Sequence, residues 1–329
     1  MTTSADIKTA LHRSAPGGGK TARRQYLQVL GGIFLFFAVA PFFVYPVFLM
    51  KVMSFALFAG SFNLLLAFGG LISFGHAAFF GVGAYVGAHV LKTFGFTPEF
   101  AILAAIAASA FLGFIFGVVA IRRQGIYFAM ITLAFTQVVY FLAIQGGRWT
   151  NGEDGIHGIP RGRLFGLFDL GNPTTLYIFI FALFVGGMLL IYRVINSPFG
   201  KVCMAIRDNE QRAVSLGIHA NRYKVGLFII SAALAGGAGA MKMLVFQLVS
   251  LADVHWMMSG EAILITLIGG LGTMAGPVIG ALIIVALNTF LAEFGAWIAL
   301  IQGLTFVLVV LVFPKGVAGV LADRLRRHF

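Results

Sequence analysis

Apolar residues in this chain come in continuous runs close to the ~20 residues that cross the hydrocarbon core of a bilayer as a helix. The runs fall at about 30–49, 52–72, 76–95, 100–121, 125–145, 174–195, 225–248, 259–274, 277–294 and 297–313. In lipid each backbone polar group must be satisfied within the chain, so a run of this kind folds as a helix or belongs to a closed barrel. Barrel strands alternate apolar and polar over ~10 residues, and these runs do not alternate. The expectation is an all-α polytopic membrane protein with about ten transmembrane helices. The third and eighth runs are rich in glycine and read as broken or re-entrant. Composition agrees: 60% of the 329 residues are hydrophobic and 10% are charged, against about 25% charged in soluble domains.

Charge then orients the runs. Positive residues accumulate on the cytoplasmic side of membrane proteins. With the N-terminus inside, the cytoplasmic segments hold seventeen of the 23 basic residues, among them Arg23, Arg24, Arg122, Arg123, Arg207 and Arg212. Lys51, Lys92, Arg148, Arg161 and Arg163 fall outside, and Lys242 is expected to snorkel outward from a helix end. Both termini are therefore expected in the cytoplasm, as basic tails over 1–29 and 314–329 flanking a single transmembrane domain over 30–313. The net charge of +12 reads as a topology signal, and no nucleic-acid partner is expected. The first 29 residues are too long and mixed for the leading region of a signal peptide. A single cysteine, Cys203, permits no disulfide within the chain.

Several chemistries are excluded. Gly81-Val82-Gly83 is followed by Val86 where a dinucleotide fingerprint needs glycine, and no Gly-Lys-Ser/Thr follows any glycine cluster. There is no H-E-x-x-H, no Cys/His metal spacing and no G-x-S-x-G, so neither an enzyme nor a metal site is expected. Glu261 and Glu293 are expected near outer helix ends. The glycines read as packing devices instead. Gly83 and Gly87 are four apart, as are Gly272, Gly276 and Gly280, and small residues at that spacing let helices approach closely in lipid. The triplet Gly-Gly-Leu occurs at 69–71 and again at 269–271, which hints at an internal repeat.

Polar residues at membrane depth mark either helix interfaces or a water-filled path. Thr132, Thr136 and Tyr140 share a face of the fifth run with Gln137 beside them. Asn63, Ser73 and His76 are comparable. The candidate path residues are thus Asn63, Ser73, His76, Thr132, Thr136 and Gln137.

Two polar segments exceed mere connectors, an outer loop over 146–173 and an inner segment over 196–224. The inner one contains "SPFGKVCMAIRDNEQRAVSLGI" (197–218). Ser197-Pro198 is a helix-start signal and Gly217 a stop. Val202, Ile206, Ala213 and Leu216 repeat at helical spacing, so one short amphipathic helix is expected with these residues inward. Its mixed-charge face suits docking into a protein groove better than lying on anionic lipid.

Four stretches together resemble the permease subunits of bacterial ATP-binding-cassette importers for branched-chain amino acids, the larger of the two paired types. They are "NLLLAFGGLISFGHAAFFGVGAYVGA" (63–88), "RRQGIYFAMITLAF" (122–135), the 197–241 region and "LIGGLGTMAGPVIGA" (267–281). The resemblance covers about residues 30–320. It implies the fold of the second type of bacterial importer, close to cobalamin permeases, in the bacterial inner membrane. It implies partners: a second permease, two cytoplasmic ATPase subunits and a periplasmic binding protein that delivers a small amino acid such as leucine, isoleucine or valine. Relatives carrying urea, short amides or aromatic acids share the architecture. No cofactor would sit on this chain, ATP and magnesium being held by the ATPase subunits. Gly200, Arg207, Glu210, Ala213 and Gly217 match the cytoplasmic coupling loop of the family, with Asp208 and Arg212 beside them. Glu210-Gln211-Arg212 stands where two small residues often follow the acid.

Overall fold

The computed structural model describes residues 20–147, 149–291, 295, 297–312 and 316–319. Among them, ten apolar helices match the ten apolar runs: α1 (Lys20–Val39), α2 (Pro46–Asn63), α3 (His76–Lys92), α4 (Pro98–Ala120), α5 (Ile126–Gln145), α6 (Pro173–Asn196), α9 (Ala220–Phe246), α10 (Trp256–Gly269), α11 (Gly276–Phe290) and α12 (Trp297–Val312). Two short helices, α7 (Pro198–Asp208) and α8 (Glu210–Ser215), lie between α6 and α9. Helices α2 (with its extension to Phe68), α4, α5, α6 and α9 are long and apolar enough to cross a membrane. Helix α1 begins ten residues before the expected end of the N-terminal tail. Lys, Ala, Arg, Gln and Leu in "KTARRQYLQV" are strong helix formers, so the helix outlasts the apolar run. The remainder of that tail, most of the C-terminal one, Arg148 and Glu293 lie outside the described residues.

Helices α2 and α9 form the centre. In their most apolar windows 89% and 78% of residues are buried, against 22% in α5. Helix α9 packs on α3, α4 and α2 through a run of small residues, Gly236 to Ala240, all buried. A β-carbon on Gly83 of α3 would strike the backbone of Gly236, and one on Gly239 would strike the carbonyl of Phe80. Gly87 meets the methyl of Met243. The Gly83 and Gly239 contacts are backbone against backbone, so dispersion rather than water release holds the pair in lipid.

The two Gly-Gly-Leu triplets occupy equivalent places. Helix α2 runs on through a π-helical turn, Leu64–Phe68, before the first triplet ends it. Helix α10 ends at Gly269, inside the second. In each, the second glycine takes a positive φ, 70° at Gly70 and 120° at Gly270. The next helix then starts at the same spacing, at His76 and at Gly276. The breaks expected in the third and eighth runs thus fall at 69–75 and 270–275, leaving α3 unbroken. One expectation is corrected. Gly272 does not share a helix face with Gly276 and Gly280, because it sits in the second break at φ 75°. Pro277 opens α11 and cannot extend a helix backward through residue 273. Gly280 itself lies against the carbonyl of Ile265, and Gly276 against Gly270.

The loop between α5 and α6 carries three two-residue strands: β1 (Ile156–His157) pairs with β4 (Leu248–Val249), which follows α9, and β2 (Arg163–Leu164) pairs with β3 (Phe168–Asp169).

Candidate functional site: two clamped helix breaks and a tethered helix pair

A broken helix inside a membrane exposes backbone groups that lipid cannot satisfy. In the first break, Phe74 is the focus. Its N–H donates to Thr132 Oγ1 (3.1 Å), and its carbonyl accepts from Thr136 Oγ1 (2.8 Å) and Ser259 Oγ (2.8 Å). Ser259 Oγ also accepts from the N–H of Ala77, and Ser73 Oγ accepts from that of Gly75. Helices α5 and α10 therefore hold the break from two sides. In the second break the Thr273 hydroxyl donates to the Gly270 carbonyl and accepts from Gly276 N–H, and the clamp from another helix is Asn63. Its Nδ2 donates to the Thr273 carbonyl (3.1 Å), and its Oδ1 accepts from Gly272 N–H (3.0 Å). His76 Nε2 lies 2.8 Å from Ser231 Oγ, which donates onward to the Ser61 carbonyl. That fixes Nε2 as the protonated nitrogen, with Phe58, Phe62 and Phe79 around the ring.

Five of the six candidate path residues, Asn63, Ser73, His76, Thr132 and Thr136, are thus buried and hydrogen-bonded within the chain. Their hydroxyl, amide and imidazole groups hold helices and helix breaks together, one of the two roles that their spacing allowed. Gln137 alone of the six is exposed.

The polar segment between α6 and α9 is two helices rather than one. Ser197 Oγ accepts from Gly200 N–H and caps α7 behind Pro198. Asn209 then breaks the helix in an extended conformation (φ −156°), and its Oδ1 accepts from Arg212 N–H (2.9 Å) to start α8. Asparagine competes for backbone in this way and favours caps over helix interiors. At the far end Gly217 has φ 84°. Ile218 N–H bonds Ala213 O and Gly217 N–H bonds Val214 O, the paired bonds of a Schellman stop. Ile206, Ala213 and Ala220 form a small core beneath. Leu216, expected inward, is 74% exposed, because the break at Asn209 resets the helical phase.

Two charged residues of this segment turn inward. Arg207 donates through Nη1 to the carbonyl of Ala67, at the end of α2, and through Nε and Nη2 to Asp208 Oδ1 (2.9 and 2.6 Å). Glu210 Oε2 accepts from Lys224 Nζ of α9 (2.7 Å) and from Gln124 Nε2 of the α4–α5 connection (2.6 Å). Gly200 is pressed against the carbonyls of Val194 and Ile195, where no β-carbon fits. Gly200 and Ala213 are buried, while Lys201, Asp208, Gln211, Arg212, Val214, Leu216 and Gly217 are exposed. A groove of about 690 Å³ runs beside them, lined by Arg122, Gln124, Glu210, Val214 and Arg222.

Sequence reading missed a set of charges on the opposite side. Lys242 does not snorkel. It pairs with Asp253 through both carboxylate oxygens (2.8 and 2.7 Å), and Asp253 is 2% exposed. Asp253 also accepts from Ser250 N–H, completing a capping box. Glu261 is not left to water at a helix end, since Asn288 Nδ2 donates to its Oε1 (2.9 Å) and Gln302 donates to Asn288 (2.5 Å). The signal available was the Ser250–Asp253 spacing of a cap just after the α9 run.

This arrangement has known counterparts. A family model described as "Branched-chain amino acid transport system / permease component" matches residues 46–313. The chain belongs to this permease family. The match begins at the first residue of α2 and includes both clamped breaks and the α7–α8 segment. The high-affinity branched-chain amino acid transport system permease protein LivM of Escherichia coli is 28% identical over 278 residues, covering 77% of this chain and 65% of that protein. LivM of Salmonella typhimurium is 27% identical over 276 residues, with the same shares. The autoinducer 2 import system permease protein LsrC of Klebsiella pneumoniae is 29% identical over 230 residues, 67% of this chain and 62% of that protein. The chain thus spans a little under two thirds of the length of the curated relatives it matches. No solved structure matches it. As a member of this family the chain is a multi-pass membrane permease subunit of LivM type, and its family is one of transport proteins rather than enzymes.

Proposed function

We propose that this chain is one of two membrane subunits of an ATP-driven importer, and that the exposed face of α7–α8 docks on an ATPase subunit. One observation carries the reading. The segment leaves Gln211, Arg212, Val214 and Leu216 exposed, while Arg207 and Glu210 tie its inner face to α2 and α9. An exposed apolar residue among charges suits a protein groove, and the two tethers suit a lever. Arg207 and Glu210 then act in transmission, and partner contact falls to their neighbours. In this reading the ten apolar helices are ten spans of a bacterial inner membrane with both termini in the cytoplasm. The loop over 146–173 faces a periplasmic binding protein, and ATP and magnesium stay on the ATPase subunits. Gln137, a polar group exposed at membrane depth, faces the second permease, because lipid is a poor neighbour for an amide.

The cargo proposed is a branched-chain amino acid, on the strength of the LivM relatives. The LsrC relative, named for autoinducer 2 import, supports a second reading in which the same architecture carries a different small polar molecule. Co-purification tests the docking. Leu216→Asp is expected to leave the chain folded in the membrane but free of ATPase subunits; retention of wild-type amounts would refute the docking face. A ligand-affinity screen on the partner binding protein tests the cargo, and failure to bind leucine, isoleucine or valine would remove it.

A further inference from the structure

The hairpin formed by β2 and β3 closes with a three-residue loop, Phe165 to Leu167, that opens on a tight turn centred on Phe165 and Gly166. Leu167 N–H bonds Leu164 O (3.0 Å), and both central residues have positive φ, 49° at Phe165 and 71° at Gly166. Such turns take Asn, Asp or Gly at the first central position, because a side chain beyond those is strained there. Here it is phenylalanine, held through its own N–H by Glu99 Oε1, and the apolar side chains face outward: Phe165 is 74% exposed, Leu167 81% and Phe168 58%. The hairpin base is polar, with Arg163 opposite Asp169 in the strand register. The tip is apolar.

Location decides what covers the tip. Phe165 N–H donates to Glu99 Oε1, in the first turn of α4, and Gly162 packs on Pro98. The hairpin therefore stands at the end of α4. There Phe94, Phe96 and Phe100 are all exposed, with ring centroids 6.4 and 6.0 Å apart along the series. Below them the outward face of α4 stays apolar through Leu103, Phe111 and Phe114, which is the surface lipid tails meet. Aromatic residues gather where such a face reaches the water interface. The tip continues this stripe.

We propose that the Phe165–Leu167 tip is an interfacial anchor that inserts into the headgroup and upper acyl region of the lipid beside α4, fixing the outer loop to the bilayer surface. A polar base at the headgroups and an apolar tip below them is the distribution an interfacial element needs.

A fluorescence measurement on the full chain in phosphatidylcholine nanodiscs tests this. In a Cys203→Ser background, Phe165→Cys and Leu167→Cys are labelled separately with an environment-sensitive dye, and Glu153→Cys in the same loop serves as reference. The tip labels are expected to emit to the blue of the reference, to lose most of their emission to a phosphatidylcholine carrying a doxyl group near its headgroup, and to resist aqueous iodide. The reference is expected to show the reverse. Because Leu167 has no strained φ, its label reports even where Phe165→Cys perturbs the turn. Tip labels quenched by iodide and not by doxyl lipid overturn the proposal. Labels shielded from both quenchers overturn it too, because they indicate a protein cover.

Discussion

Arg207 donates to the carbonyl of Ala67 while chelating Asp208, so helix α7 holds the last turn before the first break of the central helix. A cation at a helix C-terminus is favoured by the backbone dipole as well as by the hydrogen bond. Arg207→Ala is expected to lower stability by about 2 kcal/mol, the range for hydrogen bonds to charged groups. A thermal melt of the purified chain reads this as a lower midpoint. Arg207→Lys recovers only part of the loss, because an ammonium cannot fork between a carbonyl and a carboxylate as guanidinium does.

Asn63 satisfies one donor and one acceptor of the second break at once. Replacing it by leucine keeps the branching and the number of heavy atoms and leaves Gly272 N–H and Thr273 C=O without their partner. The expected loss is about 2 kcal/mol, from buried polar groups left unpaired. Asn63→Asp retains the acceptor but puts a carboxylate where the residue is 4% exposed, and is expected to melt lower still. A melting order with the aspartate variant above the leucine variant would contradict the clamp.

Gly83 permits α3 and α9 to touch backbone to backbone. Gly83→Leu is expected to abolish the folded chain, read as loss of the monodisperse peak in size-exclusion chromatography. Gly260→Ala is the control. A β-carbon there meets nothing within 4 Å, and alanine favours a helix over glycine by about 1 kcal/mol.

Cys203 in α7 is 3% exposed, and burial pushes its thiol up from 9.0 to about 11. The folded state thus prefers the neutral thiol more than the unfolded chain does. This contribution is fully present below pH 9, and it is lost as pH rises through 11. Between those limits wild-type protein is expected to lose melting temperature faster than Cys203→Ser. Parallel curves for the two would show that the thiol does not titrate with unfolding.

Much of this was legible in the residues. Apolar runs gave the helices because bilayer thickness sets their length, and the Ser197-Pro198 and Gly217 signals marked where the α7–α8 segment begins and ends. The break at Asn209 was written there too, in a residue that prefers caps, but a periodic pattern on both sides masked it. The roles of Asn63, Thr132 and Thr136 were not legible. Spacing identifies a polar face, yet whether it meets water or a broken backbone depends on segments 58 to 210 residues away. The Lys242–Asp253 pair was hidden for a related reason: charges at helix ends look solvated until the following turn folds back over them.

The central claim is that α7–α8 transmits work from an ATPase to the membrane helices, with Glu210 as the tether to Lys224 and Gln124. Glu210→Lys sets two ammonium groups against each other without touching the exposed docking face. The direct measurement is leucine uptake and ATP hydrolysis, followed together in proteoliposomes holding the complete importer. Hydrolysis is expected to continue while uptake is lost, with the variant inserted and assembled as wild type. Uptake at the wild-type rate would contradict the account.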